Sequence, residues 1–73
     1  MNIGMLWLDD DRKRSFEEKV RLATEHYRNK YGRNPELCLV SEGMGVTEKL
    51  VGRVEVKAVS TVIPYHFWLG MKS

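Results

Sequence analysis

Asp9, Asp10 and Asp11 follow the apolar run Met5–Leu8 and are followed directly by Arg12, Lys13 and Arg14. Carboxylates at the end of a first strand can hold a hard cation such as Mg²⁺, which takes oxygen ligands and keeps several waters. That makes the three aspartates a candidate metal or phosphoryl-transfer site. The competing reading is structural. Aspartate favours turns because its side chain bonds its own backbone, and the next three bases can neutralise the acids locally. The loop reading has the better claim, because short acidic motifs match by chance often.

The run LWLDDD resembles the start of a response-regulator receiver domain, in which acids after the first strand bind metal beside a phospho-acceptor. The resemblance covers six residues. A receiver needs about five βα units, and this chain has room for one. It offers neither a later strand ending in an acceptor aspartate nor a matching lysine, so no residue role is carried over.

Cys38 is the other reactive group. With His66 or His26 as base it could act as a nucleophile, but covalent catalysis needs a base in reach and an orienting third group. Cys38 lies inside the apolar run LCLV, where a buried, inert thiol is the default. As the only cysteine it excludes an intrachain disulfide and fits a reducing compartment. One cysteine and two histidines match no structural zinc spacing. The glycines of EGMGVTEKLVG lack the lysine of a phosphate-binding loop. The chain therefore reads as a non-enzyme without a cofactor.

The net charge is +2, unevenly spread. Residues 12–33 carry eight bases and three acids, a local excess of +5. Arg12, Lys13, Arg14, Arg28, Lys30 and Arg33 form a candidate nucleic-acid surface, with Tyr27 and Tyr31 available for stacking. The counter-reading is a solvated helix whose last-turn bases suit its dipole.

One element positions most of these groups. Ser15 and Glu18 form a capping box. Phe16, Val20, Ala23, Tyr27 and Tyr31 recur at helical spacing, and Gly32 and Pro35 end the run. The pattern predicts a helix over 16–31. Glu17, Arg21 and Glu25 share its outer face, where they can pair through solvent. Ile3–Leu8, apolar on both faces, reads as a central strand. Leu37–Val40 reads as a second strand, parallel to the first after a right-handed crossover. Val54–Val59 alternates as a third strand. Val62–Leu69 reads as a last strand interrupted at Pro64, which belongs at an edge, a bulge or a strand start, and best formed over His66–Leu69. Residues 41–52 read as a loop with one helical turn near 47–50.

The expected fold is a small two-layer α+β domain spanning 1–73, β-α-β-β-β, with one helix on a mixed three- or four-stranded sheet. No stretch reaches the roughly 20 apolar residues of a membrane helix, and Ile3–Leu8 is too short for a signal-peptide core. A cytoplasmic protein is expected. A domain this small buries only about 60% of its unfolded surface and needs a staple, for which oligomerisation remains. The chain also holds more large apolar side chains than one helix can hide, so the expected function is protein interaction, as a homo-oligomer or with another protein, through an uncovered sheet face. Trp7, Trp68, Tyr65 and Phe67 are its candidate anchors. The blander alternative is that the 41–53 loop folds over this face.

Overall fold

The computed structural model describes residues 4–45 and 48–72. Its elements are β1 (Gly4–Leu8), α1 (Phe16–Tyr31), β2 (Leu37–Ser41), a 3₁₀ turn (Glu42–Met44), β3 (Lys49–Val51), β4 (Val54–Val59) and β5 (His66–Gly70). The expected two-layer α+β domain is present, with one helix on a mixed sheet that has five strands. The helix bounds match the sequence pattern. Ser15 Oγ accepts the Glu18 N–H at 3.2 Å, and Gly32 closes the helix at φ 77, its N–H donating to the Arg28 carbonyl. A left-handed residue without a Cβ costs little there.

The strand order is β1-β5-β2-β4-β3. β2 and β4 are parallel neighbours, whereas the β1–β5, β5–β2 and β4–β3 pairs are antiparallel. β1 and β2 run the same way, as the crossover predicts, with β5 between them. Two expectations about individual elements are corrected. β1 is an edge strand, not a central one; Ile3 lies outside the described residues. β5 is interior, and Pro64 lies just ahead of its start, the strand-start alternative among the places expected for it, so its missing N–H removes no ladder bond. The expected turn near 47–50 is replaced from Lys49 by the three-residue strand β3, too short to give a periodic signal; Thr47 lies outside the described residues.

The helix stripe packs as the spacing requires. Val20, Ala23 and Tyr27 are buried against Cys38, Val40, Val51, Val54, Val56, Phe67 and Leu69, with Phe16 and Tyr31 at the margins. The Phe16 and Phe67 rings lie 5.9 Å apart, and Tyr31 Oη donates to the Gly4 carbonyl at 3.3 Å. Glu17 pairs with Lys49 on β3 instead of with its helix neighbours. That ion pair ties the first helical turn to the far edge of the sheet, and the Lys49 ammonium holds the Glu17 carboxyl below its usual range.

Gly4 and Gly70 face each other across the β1–β5 ladder. The Trp68 indole lies flat over both, so a Cβ at either position would overlap its ring. The glycines, which weaken a strand by themselves, are covered by an aromatic ring from the neighbouring position on the same face. Gly70→Ala should therefore lower stability by about 1–3 kcal/mol, as read by denaturant unfolding. In a Trp68→Ala background the same substitution should cost far less, and an equal cost in both backgrounds would contradict the packing described.

Candidate functional site

The acidic run is a self-contained loop. Asp9 is buried, and its carboxylate accepts the Asp11 N–H at 3.1 Å; Asp11 in turn accepts the Lys13 N–H at 2.8 Å. The Arg14 guanidinium sits 3.5 Å from Asp9 and 3.3 Å from Asp11. Both carboxylates are thus engaged by backbone N–H groups and one arginine, as a turn leading into a helix requires. Asp10 is exposed. Among the described residues, no cluster of three or more His, Cys, Asp or Glu side chains is grouped to hold a metal.

The six bases of the candidate nucleic-acid surface are split. Arg12, Lys13 and Arg14 precede α1, and Arg28, Lys30 and Arg33 lie at its far end, about 24 Å of helix away. Arg14 is committed to the aspartates. Tyr27 is 2% exposed and so is closed to base stacking. Tyr31 is half-buried, with Lys30 Nζ 5.3 Å above its ring.

The four aromatic anchors are also separated. Phe67 is fully buried in the core. Trp7 lies on the helix side of β1, stacked on His26 with ring centroids 4.1 Å apart. Tyr65 sits in the loop before β5 at φ 66, a strained region for a bulky residue. Its carbonyl accepts the Asp9 N–H at 2.9 Å, and Lys19 Nζ lies 5.8 Å over its ring. Only Trp68 lies on the face of the sheet away from the helix.

That open face is the most distinctive surface of the molecule. Register aligns Leu6, Trp68, Leu39 and Lys57 across four strands, with Leu8 opposite His66. Leu6, Leu8 and Ile63 are each about 60% exposed, at 61%, 58% and 63%. Leu6, Leu39, Trp68 and His66, with the 61–63 loop, line a groove of about 450 Å³. His66 Nδ1 lies 2.9 Å from the Pro64 carbonyl, which fixes the ring at one end of it. The 41–53 segment does not cover this face in its described part: it supplies β3 at the sheet edge, and Met44 packs on the core side. The β4 border is ionic. Glu55 lies 3.8 Å from Lys57 and pairs with Lys72, whose ammonium holds the Glu55 carboxyl below its usual range and is itself raised by it. The sequence pointed to an uncovered face but missed Leu6, Leu8, Leu39 and Ile63, because strand register decides which alternating residues share a side.

No helix among the described residues is long and apolar enough to cross a membrane. Cys38 is fully buried, and burial pushes its thiol up to about 12. Such a thiol is a poor nucleophile at neutral pH. At pH 8 its labelling by a thiol reagent should be slow when folded and fast in denaturant; fast native labelling would contradict the burial. The unfolded thiol ionises near 9.0 and the folded one near 12, so this group's contribution to stability is intact below pH 9 and should decline as pH rises from there toward 12. No protein-family model matches the chain, and no curated protein or solved structure does so at a significant level.

Proposed function

We propose that the protein is a small non-enzymatic interaction module that pairs with a second copy of itself through the open face of its sheet. The observation that carries this reading is the one-sided cover. A single helix packs on one side of five strands, and the other side presents Leu6, Leu8, Leu39, Trp68 and Ile63 as one apolar surface. A contiguous exposed apolar surface of this kind marks an interaction site.

Two features favour a second copy as the occupant. The ionic border carries both signs in adjacent pairs, Glu55 with Lys57 and Lys72. A two-fold arrangement could therefore set acid against base on both sides, as a self-complementary interface needs. A 73-residue chain also has a thin core to gain from association.

Sedimentation or light scattering over a range of concentrations should give a dimer mass that falls to monomer on dilution. Leu8→Glu replaces an exposed residue, so the fold should survive. It should weaken the dimer about a hundredfold or more by burying an unpaired carboxylate. A monomer at every concentration, or a dimer indifferent to Leu8→Glu, would overturn the proposal.

A further inference from the structure

The β3–β4 hairpin reverses at Gly52 and Arg53, where Gly52 takes φ 61. This turn comes up against the outer flank of α1, on the side of the sheet away from the open face. Between them lies a groove of about 260 Å³, with Val51 and Val54 among its lining residues. Arg21 and Arg28 line it from the helix and Arg53 from the turn. Arg21 and Arg28 are two helical turns apart on one side of α1, separated by about 10.5 Å of rise.

The charges around the groove are unbalanced. Three arginines and one carboxylate, Glu25, line it, and Arg53 also borders a neighbouring groove lined by Glu36, Glu48 and Glu55. Among the described residues, none of the three arginines is in an ion pair, whereas Arg14, Lys49, Lys57 and Lys72 are each paired with an acid. Unpaired like charges gathered around a partly apolar groove repel one another, and an anion between them relieves that repulsion. The guanidinium fork, with parallel N–H groups, matches phosphate oxygens better than an ammonium does. Arg53 is brought to the helix only by the fold, so the cluster has no counterpart in the sequence pattern.

We propose that this groove binds phosphate, presented either on a small diphosphate-bearing molecule or along a nucleic-acid strand. Arg21, Arg28 and Arg53 grip the phosphate oxygens, and the Val51–Val54 side of the groove limits competing water.

The test is a titration of isotope-labelled full-length protein, followed by NMR, with inorganic pyrophosphate and, separately, with a short single-stranded oligothymidylate. Saturable shifts should fall on 21–28 and 51–54. Arg53→Ala, at an exposed turn, should keep the native spectrum and lower affinity about tenfold. Lys13→Ala, at the other end of the helix, should leave affinity unchanged. Binding of pyrophosphate alone would identify a small-molecule site. Binding of the oligonucleotide, with a salt dependence reduced by about 0.7 in logarithmic slope in Arg53→Ala, would identify a strand. No saturable shift with either probe, shifts elsewhere, or equal weakening by Lys13→Ala would overturn the proposal.

Discussion

One amphipathic helix of 16 residues must shield a sheet of five strands, and it can do so on one side only. Val20, Ala23 and Tyr27 supply the apolar stripe, and the inward residues of β2, β4 and β5 meet it. The hydrophobic core lies between these two layers. Among the described residues no second α-helix covers the opposite side, and the described part of 41–53 goes to the sheet edge instead. The apolar residues of that opposite side therefore stay in contact with water unless something from outside covers them.

The same constraint explains the unusual local chemistry. β5 enters between β1 and β2, which attaches the first strand to the sheet through its antiparallel partner. To start there, the chain passes Pro64 and takes a strained conformation at Tyr65, whose cost is offset by its carbonyl bond to Asp9 and by Lys19 over its ring. The Asp9 backbone thus anchors the β5 entry, and the Asp9 and Asp11 carboxylates shape the lead into α1. Gly4 and Gly70 leave the space in which Trp68 lies flat, and the tryptophan extends the apolar surface on the side that the helix does not reach.

The helix was legible because its signals are local: a capping serine, a regular apolar stripe and a closing glycine, all within about five turns. The sheet was legible in content but not in order. Strand insertion is a long-range event, and nothing within Gly4–Leu8 distinguishes an edge strand from a central one. The aromatic pattern offers Trp7 and Trp68 as anchors of one face, yet Trp7 pairs with Phe67 and Leu6 with Trp68, which puts the two tryptophans on opposite sides. That assignment follows from register, which a single strand does not carry. Arg53 is a similar case: its approach to Arg21 and Arg28 depends on β3, a strand of three residues without periodicity.

The central claim is that the uncovered side of the sheet is closed by a second copy of the chain. An isotope-filtered NOE experiment on a mixture of labelled and unlabelled protein reads that contact directly. Self-association through this face gives intermolecular signals from the methyl groups of Leu6, Leu8 and Leu39 to the Trp68 ring. Intermolecular signals confined to the helix side, or none at concentrations well above those at which small homodimers form, would contradict it.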